Sequence, residues 1–182
     1  MKIQRGAGFT LIELIITIAI FSIVLALGTG SYTTLIANKR LKNAAETLYT
    51  DLQLARMEAI KRSTTIYVQF NKKNQWCYGL DDEDGACDCT KPVGAGNCEI
   101  GEDDGVAGNE YSHAVNGGDF ADIAIDENFG SHTTSFSPVR GTADNGHVTF
   151  EAANANPIRV ILSDIGRVRL LCSDSQGKYS SC

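Results

Sequence analysis

Three rhythms of apolar and polar positions divide the chain. From Phe9 to Leu27 nearly every position is apolar, broken only by a few Ser and Thr and by one carboxylate, Glu13. About nineteen such residues make roughly one bilayer crossing as a helix. Farther on, Leu41, Ala44, Ala45, Leu48, Leu52, Ala55, Ala59 and Ile60 recur at three- and four-residue spacing. That rhythm predicts an amphipathic helix with those positions on a core. No proline interrupts Thr10 to Arg62, so one helix is expected, its first half in lipid and its second the spine of a head. Gly28 and Gly30 fall between the halves. Glycine weakens a helix interior by up to about 1 kcal/mol, which predicts a flexible or locally melted joint there.

The period then shortens to two. Residues 64–70 and 75–80 alternate and are rich in β-branched and aromatic side chains, predicting a hairpin around a turn at 71–74. Residues 81–118 hold mostly Asp, Glu, Gly, Asn and Cys and read as a long loop ordered chiefly by disulfides. Short strands are expected at 122–125 and 133–137, and a three-stranded antiparallel meander at 146–151, 158–163 and 166–172. The fold class is α+β: a long helix packed on antiparallel sheet, in one layer or two.

The front of the chain sets its topology. Lys2 and Arg5 precede the apolar run and no acid does, so the extreme N-terminus stays cytoplasmic and the rest is exported. Small residues, Gly6-Ala7-Gly8, stand before the run rather than after it, unlike a secretory signal. Cleavage there keeps the apolar helix and exposes Phe9. A carboxylate inside a membrane helix implies a partner or an interfacial position. Glu13 therefore either rests near the positive end of the helix dipole or pairs with the amine of another subunit's Phe9 and sets axial register.

Gly8-Phe9-Thr10-Leu11-Ile12-Glu13-Leu14 resembles the prepilin processing and methylation site of type IV pilins and type II secretion pseudopilins. The resemblance implies that a prepilin peptidase cuts after Gly8 and methylates Phe9, and that Glu13 acts in assembly. Toward the C-terminus, Phe136-x-Pro138-x-x-Gly141 and Gly166-Arg167-Val168-Arg169 with a nearby cysteine are similar to the FimT/FimU-type minor pilins and GspH-type pseudopilins. In the FimT-like group a Gly-Arg-x-Arg segment is associated with DNA binding during uptake. Cys172 stands one residue farther from Arg169 than in that group's pattern.

Charge is uneven. The formal net charge is −6, yet residues 81–127 carry 14 acids and one base, Lys91, whereas 128–182 carry Arg140, Arg159, Arg167, Arg169 and Lys178 against four acids. Placed two apart on a strand, Arg167 and Arg169 leave the same face about 7 Å apart, near adjacent-phosphate spacing. Lys178 in the tail joins them in this reading, as a salt-sensitive clamp on double-stranded DNA. The competing reading makes both arginines the exposed side of an amphipathic strand, with Val168 and Leu170 inward.

The six cysteines are even in number in an exported domain, which favours disulfides. Six allow 15 pairings. The expectation is Cys172 with Cys182, and Cys77, Cys87, Cys89 and Cys98 paired among themselves. Zinc is disfavoured because Cys87-Asp-Cys89 lacks CxxC spacing and a nearby histidine. Calcium is disfavoured because the acid runs at 81–84 and 102–104 lack EF-hand spacing. His113, His132 and His147 are scattered, without nucleophile elbow or phosphate loop. No metal, cofactor or enzymatic activity is therefore expected.

These readings divide the chain into a cleaved basic leader at 1–8, a transmembrane and assembly helix at 9–28, and a periplasmic head at 29–182 with an acidic insertion at 81–118. The resemblance implies a minor type IV pilin of a Gram-negative bacterium, a non-enzymatic subunit that assembles into the pilus or primes its assembly. It starts as a single-pass inner-membrane protein and then joins the pilus. Its partners are other pilins, the prepilin peptidase and the inner-membrane assembly machinery, with DNA as a further ligand. The alternative is a minor pseudopilin of a type II secretion system.

Overall fold

The computed structural model describes residues 9–72, 75–92, 97–101, 111–174 and 177–182. Gly8 and the acid run at 102–104 lie outside them, as do the side chains at 26–31. The chain forms two compact units that meet between Ile36 and Ala37.

Helix α1 (Leu11–Arg62) supplies the first unit. Thr10 caps it, its Oγ1 accepting from Glu13 N at 3.3 Å, in the Thr-x-x-Glu arrangement of a capping box. The described side chains from Phe9 to Leu25 are all exposed. Thr17 and Ser22 donate their hydroxyls to the carbonyls of Leu14 and Ile18, so these polar groups are satisfied within the helix itself. Gly28 and Gly30 do not melt the helix, since α1 is helical through both. Among the described residues no helix is long and apolar enough to cross a membrane. The expected span at 9–28 ends on side chains outside that set.

In the second unit α1 buries Leu41, Ala44, Ala45, Leu48, Leu52, Ala55 and Ala59 to 1% exposure or less. Four of these seven are alanine, which lets the sheet approach the helix backbone closely. Ile60, expected with them, is 49% exposed; one residue beyond Ala59 it is turned about 100° away from the buried stripe. The helix ends at Ser63, in the left-handed region at φ 56°, with Lys61 and Arg62 in its last turn, where the dipole favours cations.

Strands β1 (Ile66–Asn71), β2 (Cys77–Asp81), β3 (Glu99–Ile100), β4 (Tyr111–Asn116) and β6 (Thr133–Phe136) form one sheet in the order β3-β4-β2-β1-β6. Strands β5 (Ile123–Glu127), β7 (Gly146–Ala152), β8 (Ile158–Leu162), β9 (Val168–Ser173) and β10 (Tyr179–Ser181) form another, ordered β10-β9-β8-β7-β5. All pairings are antiparallel. The predicted hairpin is β1–β2, Asn71 opposite Cys77, and the predicted meander is β7–β8–β9. Trp76 joins the sheets, donating Nε1–H to Ile123 O at 2.7 Å and meeting Phe150 edge-on at 5.9 Å.

The expected long loop at 81–118 instead contributes β3 and β4. Alternation along β2 explains how so polar a stretch is held. Tyr78 and Leu80 alternate with Cys77 and Gly79, and all four are buried, so both faces of the strand are covered. The disulfides Cys77–Cys89 and Cys87–Cys98 form a small separate core with Ala114. Gly79 lies beneath it: a Cβ there would come within 2.7 Å of Cys98 Sγ. Sulfur supplies the packing that the missing aliphatic residues do not.

Candidate functional site

At the start of α1, Phe9 is 76% exposed and Glu13 is exposed one turn later. Around them Leu11, Ile12, Leu14, Ile15 and Ile16 are also about half exposed or more. A helix apolar on every side has no aqueous solution to its burial; lipid or other helices must cover it.

Buried polar groups tie the head together. Asp51 of α1 accepts from Tyr78 OH of β2 at 2.6 Å, and its Oδ2 lies 2.9 Å from His113 Nε2 of β4. Burial pushes the Tyr78 hydroxyl well above its ordinary range, and the Asp51 carboxylate pushes it further. Glu127, its side chain fully buried, accepts from Phe129 N at 2.8 Å, meets His132 Nδ1, and has Lys72 Nζ at 3.3 Å. Burial alone would raise its carboxyl; His132, the Phe129 N–H and Lys72 together hold it below the usual value. Two of the three histidines thus brace buried carboxylates within the fold.

The acid run at 81–84 is likewise engaged with backbone. Asp81 accepts from Glu83 N and Glu99 N, and Asp82 from Gly101 N. These bonds fasten β3 against the end of β2.

At the other end, the two C-terminal motifs meet. Gly141 sits at φ 60° and Gly166 at φ 69°. The turns carrying them are stitched by Ala143 N to Asp164 O at 3.0 Å, and a Cβ on Gly141 would come within 2.7 Å of Arg56 Nε and 3.1 Å of Ile60 Cδ1 on α1. Arg140 and Arg167 immediately flank the two glycines and are exposed. Sequence alone counts Arg140 only among the C-terminal bases and gives neither it nor Arg56 a place in a site. The available sign was symmetry, since Arg140 precedes one turn glycine and Arg167 follows the other.

The three bases of the expected clamp are not all gathered. Arg169 lies on β9, exposed, with Val168 and Leu170 half-buried. Arg167 precedes the strand, because Ser163 claims its backbone, donating to Arg167 O at 3.1 Å and accepting from Arg167 N at 3.1 Å. Lys178 lies past the far end of β9, its N–H donated to Asp174 Oδ1, about 20 Å along the strand from Arg167. The disulfide Cys172–Cys182 closes that tail, and Arg159 stacks over Tyr179 at 4.2 Å, a cation–π contact. Among the described residues no group of three or more His, Cys, Asp and Glu is arranged to hold a metal ion.

Comparison with known proteins adds three findings. Residues 44–166 match a family model described as Type II transport protein GspH, and residues 3–29 match one described as Prokaryotic N-terminal methylation motif. The type IV minor pilin FimU of Pseudomonas aeruginosa PAO1 is similar in structure, with a TM-score of 0.50 at 20% identity over 79% of this chain and 96% of that one. The minor pseudopilin EpsH of the Vibrio cholerae type 2 secretion system gives 0.47 at 14% identity over 73% and 97%. Among curated proteins none matches. The likeness to FimU is one of fold.

Proposed function

The chain belongs to the GspH family of type II transport proteins, and we propose that it serves as a minor, non-enzymatic subunit of a type IV pilus. In this reading a prepilin peptidase removes 1–8 and methylates Phe9. The chain waits in the inner membrane with its head in the periplasm and then packs helix to helix with other pilins. The observation that carries it is the apolar helix face exposed on all sides from Phe9 to Leu25, with one carboxylate at Glu13. Exposed apolar surface of that extent needs lipid before assembly and neighbouring helices after it. Glu13, already the third residue of a capped helix start, supplies a negative charge for a neighbour's N-terminal amine.

The test is mass spectrometry of the full chain recovered from sheared surface fibres. A mature N-terminus at methylated Phe9 within the fibre fraction is the expected result. A chain that keeps Met1–Gly8, or is absent from fibres, overturns the proposal.

The match to a type II transport family favours a second reading, a minor pseudopilin subunit. Deletion separates the two: loss of piliation supports the pilus and loss of protein secretion supports the pseudopilus. Capture of double-stranded DNA by Arg167 and Arg169 is a further property consistent with their exposed positions, with Lys178 standing apart from them past the far end of β9. Gel shifts of the full chain in detergent at low salt test it. An unchanged shift after Arg167→Ala and Arg169→Ala removes it.

A further inference from the structure

In the second unit four large apolar side chains stand exposed, and they fall in one place. Met57, Ile60, Val139 and Ile165 are 60%, 49%, 84% and 60% exposed. Met57 and Ile60 are three apart on α1 and share a side of it. The two glycine turns pack beside them, Gly166 on Gly141 and Gly141 on Arg56 and Ile60. Each turn is closed by its own backbone, Gly141 N donating to Ser137 O at 2.9 Å and Gly166 N to Ser163 O at 2.8 Å. Val139 and Ile165 therefore project from two short, braced turns.

The bases around them lack acid partners. Arg40, Lys42, Lys61, Arg62, Lys72 and Lys91 each pair with a carboxylate. Among the described residues Arg56, Arg140 and Arg167 meet none. Arg140 and Arg167 are exposed, and the Nε of Arg56, lying against both glycine turns, is buried with no hydrogen-bond partner among those residues. The acids close by in sequence are engaged elsewhere. Glu58 holds Lys61 and Arg62, Asp144 accepts from Ser135 Oγ at 2.7 Å, and Asp164 accepts from Ile165 N at 2.9 Å. On a chain of net charge −6, this corner is cationic and apolar at once.

That combination selects among occupants. Nucleic acid phosphates call for cations alone and leave Val139 and Ile165 without a role. A protein partner gains most from a surface whose shape it can match, whereas these side chains stand singly on protruding turns. An anionic bilayer asks for neither pairing nor shape: aliphatic tips enter the acyl boundary while bases at the same level meet headgroup phosphates.

We propose that this corner of the head docks on a lipid surface rich in anionic headgroups, Val139 and Ile165 entering it and Arg140 and Arg167 binding its phosphates, with Met57 and Arg56 beside them. The site lies apart from the apolar start of α1 on which the fibre reading rests.

Full-length chain held by its apolar helix in phosphatidylcholine nanodiscs tests it, by sedimentation with sucrose-loaded vesicles. Vesicles containing phosphatidylglycerol should carry the discs down and pure phosphatidylcholine vesicles should not. Arg140→Glu with Arg167→Glu should weaken the association at least about tenfold, and so should Val139→Ser with Ile165→Ser. All four side chains are exposed, so these variants keep the fold. A Val139→Trp chain should be quenched by brominated acyl chains in the anionic vesicles. Equal sedimentation with both lipids, or unchanged association in either double variant, overturns the proposal. An effect of the arginine pair without the aliphatic pair marks a bare phosphate site, as nucleic acid would use, and also overturns it. Discs that cluster in the absence of vesicles assign the corner to a second copy. Ile165→p-benzoylphenylalanine that joins another polypeptide on illumination of intact cells assigns it to a protein partner, and either result removes the lipid assignment.

Discussion

A Cβ placed on Gly166 would stand 1.8 Å from the carbonyl oxygen of Gly141. Both residues adopt positive φ, so neither the backbone conformation nor the space admits a side chain. The glycines of two sequence motifs 25 residues apart are thus one packing device, seated on Arg56.

Gly166→Ala is expected to destabilise the head by about 3 kcal/mol or more, through strain at positive φ and displacement of the facing turn. Gly177→Ala is the control. It has the same sign of φ with nothing within 4 Å, so its loss should be about 1 kcal/mol. Urea denaturation of the full chain in detergent gives both values.

Tyr78→Phe should cost about 1.5–3 kcal/mol at pH 7, since it removes the hydroxyl that donates to the buried Asp51 carboxylate and leaves only His113 beside it. The pH dependence follows from the raised Tyr78 hydroxyl. Its protonated form is favoured in the folded state, so its contribution is complete below the unfolded value of about 10 and is lost as pH rises through the folded one. The wild-type chain should lose stability above about pH 10 more steeply than Tyr78→Phe. Fluorescence-monitored unfolding at pH 8 and pH 11 compares them.

Glu127 works in the opposite direction. Its carboxyl is held below its ordinary value in the fold. The stability it confers is therefore present above about pH 4.3 and lost as pH falls through the folded value. Glu127→Gln should weaken the protein at neutral pH, by about 1–2 kcal/mol, because Lys72 then loses one of its two carboxylate partners and keeps only Asp126. The mutant and wild-type unfolding midpoints should converge toward pH 3. Equal midpoint differences at pH 7 and pH 3 would contradict the assignment.

Opening the Cys87–Cys98 disulfide by Cys87→Ser with Cys98→Ser should cost about 3 kcal/mol for a loop of its size. Local loosening should appear at β3 and the adjoining part of β4, because the strands are tied there by few residues. Hydrogen exchange should rise at Glu99–Ile100 and at Tyr111–Ser112 while the α1–β1 core stays protected. Uniform acceleration across the head would show that the sulfur core is not a separate packing unit.

Local patterns were enough to specify much of this protein. The three-and-four rhythm from Leu41 to Ala59 located the buried face of α1, because helical period alone decides which side chains share a side. Alternation located β1, β2, β7, β8 and β9 for the corresponding reason. The match to an N-terminal methylation motif at 3–29 is linear chemistry and is read directly from residue order. Tertiary structure decided what depends on distant partners. Ile60 matches the helical spacing but faces out, since the sheet covers only a stripe of α1. Strands β3 and β4 lie in a stretch with few apolar residues, and they became strands because disulfides and the carboxylates of Asp81 and Asp82 anchor them to β2. Arg167 was pulled out of β9 by its bonds to Ser163, and Lys178 was carried to the strand's far end. The meeting of Gly141 with Gly166, and the patch that it builds with Val139 and Ile165, could arise only in three dimensions, because nothing in either turn alone encodes the shape of the other.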